Sequence, residues 1–207
     1  MTRFRVALTF DAEHPDRPGA ARTADAIVAT LARHGIRGTF FIQGRWAEAE
    51  PASVRSIVDA GHLVGHHSHY HARMPLLTDA GLADDLADGA QAVIAAGGSD
   101  PRPWFRCPFG AGADDPRVLA AVDEAGYRHV GWHVAADDWE PTRSEAVIVS
   151  EVVDGVLAHG DGAVVLFHSW PDVTPRALDS VVVRLAAAGA EFCRVDDLAD
   201  LPAGVPG

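Results

Sequence analysis

The sequence predicts a single α/β domain of parallel strands joined by helical crossovers, and three observations carry that expectation. Segments with strand and helix patterning alternate along all 207 residues, which implies parallel pairing through crossover helices. The strands are short apolar runs such as Val6 to Phe10 and Val164 to Phe167, the pattern of strands covered on both faces. The polar residues Asp11, His67, Arg106, Asp138 and His168 fall at or just past predicted strand ends, and in parallel α/β folds that end of the sheet carries the site.

The elements follow in order. Arg5 to Phe10 reads as a strand ending at Asp11, and Ala20 to His34 as a helix stopped by Gly35, because glycine takes the left-handed cap without steric cost. Gly38 to Ile42 is a second strand, and Pro51 to Ala60 a second helix ending at Gly61. A histidine-rich run follows to His71. On a helix, its pairs four residues apart would share one face. Thr78 to Ala96 is a long helix closed by Gly97 and Gly98, and Trp104 to Arg106 a strand. Asp115 to Ala125 is helical and Tyr127 to Trp132 a strand. Thr142 and Glu145 form a capping box opening a helix to His159. Gly162 to Phe167 is the clearest buried strand. Thr174 and Pro175 open the last helix, with proline in its first turn, and Gly189 ends it before the strand Glu191 to Arg194. The domain is expected over 1–201, with 202–207 a frayed tail.

With 48% hydrophobic residues, the chain has the means to bury a large core. A net charge of −12, with no Lys/Arg cluster, argues against nucleic acid and against docking on anionic membranes. No apolar stretch is long enough to span a bilayer. Cys107 and Cys193 are too few for a disulfide framework, so free thiols are expected. A strand-like run starts almost at once, without a leader; if this is the whole chain, the expected compartment is the cytoplasm.

Five of the eleven histidines, His62, His66, His67, His69 and His71, crowd into one short run. Protonated imidazoles repel one another, and a divalent metal is the usual user of such a cluster. Either His62/His66 or His67/His71 suits one ion, given a carboxylate. Asp11 and Glu13 supply candidates just past the first strand, and His14 on the same loop is an alternative ligand. Arg106 precedes a Pro108-Phe109-Gly110 turn that can aim a backbone N–H into a cleft. Asp138-Trp139 joins an acid to a flat ring suited to stacking on a sugar. His168 closes a very apolar strand, where a structural and a catalytic histidine are both open readings.

Together and in this order, these pieces resemble the polysaccharide deacetylase family (carbohydrate esterase family 4, the NodB-homology domain). The family's first motif, Thr-Phe-Asp-Asp-Gly, is Thr9-Phe10-Asp11-Ala12-Glu13 here. The second, His-Ser/Thr-x-x-His, is His67 to His71, and the third, Arg-x-Pro-Tyr/Phe-Gly, is Arg106 to Gly110. The fourth ends in Asp138-Trp139 and the fifth is Leu166-Phe167-His168. The departures are Ala12 where an aspartate ligand is usual, Ala135 and Ala136 where an acid is usual, and Ser169 after the last histidine.

The resemblance implies a distorted (β/α) barrel of parallel strands and a metal-dependent hydrolase that removes an N-acyl, chiefly N-acetyl, group from a carbohydrate. It implies Zn2+, or another divalent metal, on Glu13, His67 and His71, with Glu13 standing in for the missing aspartate. Asp11 becomes the base, Arg106 its partner, and Phe109 the donor of an oxyanion N–H. His168 becomes the acid, tuned by Asp138, while Trp139 and Leu166 wall the acyl pocket. Ala12 keeps open an amidohydrolase of a ring amide, a ureide or cyclic imide, some of which dispense with metal. A non-catalytic carbohydrate-binding or metal-storing module is the other rival. Chitin fragments, peptidoglycan, xylan esters and small N-acetyl sugars all remain open as substrates, and oligomeric state is open too.

Overall fold

The computed structural model describes residues 3–17 and 19–204. At its centre is strand β1 (Phe4–Ala12), with β7 (Ala163–His168) parallel along one side from Val6↔Ala163 to Asp11↔His168. The other side of β1 is shared. Its first half pairs with β8 (Ala190–Cys193) and its second half with β2 (Thr39–Ile42). At that fork Thr39 Oγ1 accepts the Val195 N–H at 3.2 Å. The path continues through β3 (Leu63–His66), β4 (Trp104–Phe105) and β5 (Arg128–His129), while β6 (Val134–Ala135) flanks β7. Every pairing is parallel. The result is a curled, parallel half-barrel ringed by helices.

Strand alternation sorts side chains between two layers. Val6, Leu8 and Phe10 face α1 (Ala20–Arg33), α3 (Pro51–Asp59), α6 (Glu145–His159) and α7 (Thr174–Ala188) in the main core. Ala7, Phe41, Trp104, Val130 and Val164 pack together in the barrel interior, with Leu63 against them. By the same parity Thr9, Asp11, Gly65, His67, Arg106, Leu166 and His168 point inward. A third cluster joins α4 (Asp79–Gly97) and α5 (Pro116–Glu124) to Phe105 and Tyr127. Cys107 and Cys193 are free thiols.

Several sequence expectations change. The histidine run is no helix: His62 precedes β3 and His66 ends it, and the pairing with β2 continues as His67 N–H to Ile42 O at 3.0 Å. Helix α2 (Gly44–Ala49) and strand β6 were not expected, both being too short to show a period. Ser144, not Thr142, caps α6 by accepting the Val147 N–H. Arg143 N–H already closes a turn on Glu140 O at 3.0 Å, which leaves Thr142 outside the helix. The strand expected over Tyr127 to Trp132 contracts to two residues, because Val130 and Gly131 give their carbonyls to Arg106 instead. The segment expected as a frayed tail begins with the Pro202 carbonyl accepting the Gly131 N–H at 2.7 Å, and residues 205–207 lie outside the described residues. Among those described, no helix is long and apolar enough to cross a membrane.

Candidate active site

The site is assembled from inward-facing residues at the C-terminal strand ends. Asp11 stands in register between Phe41 and His168. Arg106, wholly buried, crosses the interior to reach it. Its Nη1 donates to Asp11 Oδ1 and to Thr9 Oγ1, each at 2.9 Å, while Nε and Nη2 donate to Val130 O and Gly131 O at 3.0 Å. The guanidinium lies 4.1 Å from the Phe41 ring centroid. Four of its five N–H donors, on all three nitrogens, are therefore engaged, which fixes both the cation and the carboxylate it holds.

Glu13 lies beyond the strand and meets the histidine loop. Its Oε2 faces His67 Nε2 at 3.2 Å and is in hydrogen-bond contact with His71 Nε2. The loop is bent by left-handed residues, Ser68 (φ 64°) and His71 (φ 58°). Ser68 Oγ accepts the His71 N–H at 3.1 Å, and buried Asp85 of α4 accepts the N–H groups of His69 and Tyr70. One ligand atom from each of Glu13, His67 and His71 falls within 4.8 Å of the others. His67 Nδ1 bonds the Arg106 carbonyl at 2.9 Å, so Nδ1 carries the proton and the bare Nε2 lone pair faces the Glu13 carboxylate. Acceptor meets acceptor there unless a proton or a cation stands between them, so the donor set fits a divalent metal. Burial opposes protonation of His67, but Asp11 and Glu13 outweigh it and raise its pKa; a metal would displace that proton. Burial also opposes ionisation of Glu13, yet hydrogen bonds from His14, His67 and His71 lower its pKa well below the usual carboxylate range.

The opposite wall carries His168 and Asp138. His168 Nδ1 bonds Asp138 Oδ1 at 2.7 Å, which turns Nε2 toward Glu13 Oε1, 3.9 Å away. Asp138 is pinned in turn by the His168 N–H at 2.9 Å and the Thr174 hydroxyl at 2.6 Å. Burial pulls the imidazole pKa down, but the charge and hydrogen bond of Asp138, with Glu13 and Asp11 behind it, raise it to about 9. Trp139 stands edge-on to this ring at 5.1 Å. A cleft of about 460 Å³ runs between the two walls, lined by Asp11, Glu13, His67, His71 and His168 with Phe109, Trp139 and Leu166. Phe109 takes a left-handed conformation (φ 59°) that few residues adopt outside functional turns, and among the described residues its N–H donates to no backbone oxygen.

Eight of the ten expected site residues line this cleft, and the other two, Arg106 and Asp138, are bonded to Asp11 and His168 behind its walls. His62 and His66 do not join it. His62 Nδ1 accepts the Gly38 N–H at 3.0 Å, and His66 is wholly buried beside Phe105 and Tyr127. His14 stands outside that donor set, its Nε2 facing the far oxygen of Glu13, Oε1, at 3.2 Å. Trp170, unexpected from sequence, donates its indole N–H to that same oxygen at 3.2 Å. Thr174 and Asp85 were also missed. An acid on the apolar stripe Leu82–Leu86–Gly89 was the available signal for Asp85.

Fold and site together define a NodB-type (β/α) barrel with its polar cluster at the C-terminal strand ends. The polysaccharide deacetylase family model matches residues 1–130, and the chain belongs to that family. It is 30% identical to the peptidoglycan-N-acetylglucosamine deacetylase of Listeria monocytogenes, covering 95% of this chain but 39% of that protein's length. It is 30% identical to a chitooligosaccharide deacetylase from a Bradyrhizobium strain, over 90% of this chain and 87% of that one. Among solved structures, a family 4 carbohydrate esterase from Streptomyces lividans in complex with acetate aligns with TM-score 0.79 and 32% identity, covering 92% of each chain. A carbohydrate esterase family 4 pseudoenzyme from Bacillus anthracis aligns with TM-score 0.85 and 26% identity, over 96% of this chain and 66% of that one.

Proposed function

We propose that the chain is a metal-dependent hydrolase that removes an N-acetyl group from a carbohydrate. The observation that carries this reading is the pair of opposed walls. An arginine-held aspartate lies on one side of the Glu13/His67/His71 donors and an aspartate-held histidine on the other. Glu13, His67 and His71 would hold the metal, whose chemistry is to polarise the amide carbonyl and acidify water. Asp11 accepts the water's proton, and Arg106 keeps Asp11 oriented for it. The Phe109 N–H donates to the developing oxyanion. An amine leaves only when protonated, and His168 Nε2 delivers that proton while Asp138 holds the ring through Nδ1. Trp139 and Leu166 wall the small acyl group. The relatives named above deacetylate peptidoglycan and chitooligosaccharides, which supports a carbohydrate as substrate.

Ala12 and the likeness to a pseudoenzyme raise a non-catalytic reading, but the base, the acid and three metal donors are all present. Acetate release from N-acetylated oligosaccharides, measured after loading with Zn2+ or Co2+ and again with chelator, tests the reading. Release that chelation abolishes is expected. Chelator-resistant hydrolysis would instead favour a metal-independent amidohydrolase of a ring amide, and no release from any sugar would overturn the proposal.

A further inference from the structure

The outer part of the cleft carries charge that the mechanism does not use. The chain has 17 basic residues against 29 acidic ones, and all 17 are arginine. Among the described residues nine of them pair with carboxylates. Three that have no carboxylate partner among the described residues stand around this cleft. Arg17 lines it beside Glu13 and His168, its guanidinium flat on Trp170 at 4.3 Å. Arg73 lies over the Phe109 ring at 4.5 Å. Arg45 lines an adjoining groove that shares His14, His71 and Phe109 with the cleft. Asp16 is the one carboxylate lining that groove, and Arg45 its one arginine. All three arginines are exposed.

Two of them are held by aromatic walls instead of by carboxylates. Stacking fixes a guanidinium in place while leaving its N–H edge free to bind an anion. In a protein of net charge −12, three arginines without a carboxylate partner among the described residues form a local cluster of positive charge around the mouth of one cleft, which selects and steers an anionic ligand. Resting on the hydrolase reading above, we infer that the preferred substrate is an anionic amino sugar. It is an N-acetylated sugar that carries a carboxylate on a neighbouring hydroxyl, or a phosphate at its reducing end. The acetamide enters between Asp11 and His168, and the anion lies along Arg17 and the groove toward Arg45.

The test compares ligands of similar size: N-acetylmuramic acid, N-acetylglucosamine 1-phosphate and neutral N-acetylglucosamine. Binding is read calorimetrically on the Asp11→Asn protein and kcat/KM on the unaltered one, at low and high salt. At least one anionic sugar should bind roughly tenfold more tightly than the neutral one at low ionic strength, with the preference shrinking as salt screens it. Whether the carboxylate or the phosphate sugar wins identifies the source of the anion. The triple variant Arg17→Gln, Arg45→Gln, Arg73→Gln should lose the preference. Equal affinity for neutral and anionic sugars, or a preference that survives the triple substitution, overturns the inference. Turnover of every sugar at one kcat/KM with no binding preference sinks it while leaving the hydrolase reading intact. Anion-selective binding without any turnover does the reverse.

Discussion

Two pairs of histidines, His62/His66 and His67/His71, have the same spacing and opposite fates. The first pair sits on the outer face of β3 and is neutral: burial lowers the pKa of His62 to about 4 and of His66 to about 3. The second pair meets a carboxylate inside the barrel. A separation of four is even, so in a strand His62, Val64 and His66 share the face toward the helices. Leu63, Gly65 and His67 share the other. One residue of offset, not the presence of histidine, decides which imidazole meets the cleft.

Removing a ligand should break that contrast most severely. His71→Ala should lose metal and turnover together, by at least about a thousandfold, since two remaining ligands hold a catalytic ion poorly. Metal analysis beside acetate release checks it, and full occupancy in the variant would sink the ligand assignment.

The two acids at the end of the first strand, Asp11 within it and Glu13 just past it, sharpen the division of roles. Asp11→Asn should keep its metal and lose about 10²–10⁴ in kcat, the usual worth of a positioned base. Glu13→Gln should chiefly weaken metal binding. Exchanged phenotypes would mean that base and ligand are exchanged as well.

On the opposite wall, His168→Ala should cost about 10²–10⁴ on amides but little on aryl acetates, whose leaving group needs no proton. The acid must be protonated to act, and Asp138 raises its pKa above the ordinary imidazole value. Activity in the unaltered enzyme should therefore hold through neutral pH and fall on the alkaline side. That limb should vanish with His168. Equal losses on amide and ester would make His168 structural.

The smallest effects should come from the outer pair. A Cβ on Gly89 would stand 2.1 Å from His66 Nε2, against a ring already packed on Phe105 and Tyr127. Gly89→Ala should therefore destabilise by about 1–3 kcal/mol through overpacking, which outweighs the roughly 1 kcal/mol that alanine adds to a helix. His66→Leu should leave turnover unchanged and reduce acid sensitivity. His66 is neutral when folded but takes a proton when unfolded, so its contribution to stability is full above pH 6.5 and declines as pH falls toward about 3. Urea midpoints across that range would show a flatter profile in the variant.

Much of the site was legible because its chemistry is tied to strand ends. Asp11, Arg106 and His168 each close an apolar run, and their positions are fixed by local pattern alone. Trp170 and Thr174 were not legible. Their partners, Glu13 and Asp138, lie 157 and 36 residues away, and no local period encodes a contact made across a sheet.

By itself the sequence determined the parallel α/β architecture, the strand ends that face the cleft, and the inventory of carboxylates, histidines and arginine that meet there. Apolar runs, caps and glycine stops act over a few residues, and those signals survive in one dimension. Only the tertiary structure decided which histidines meet Glu13, that Glu13 presents Oε2 to them because Trp170 and His14 occupy Oε1, and that Arg106 spans the barrel in place of a longer fifth strand. These depend on the register of β1 against β2 and β7, which fixes the direction each side chain points and the partner it finds.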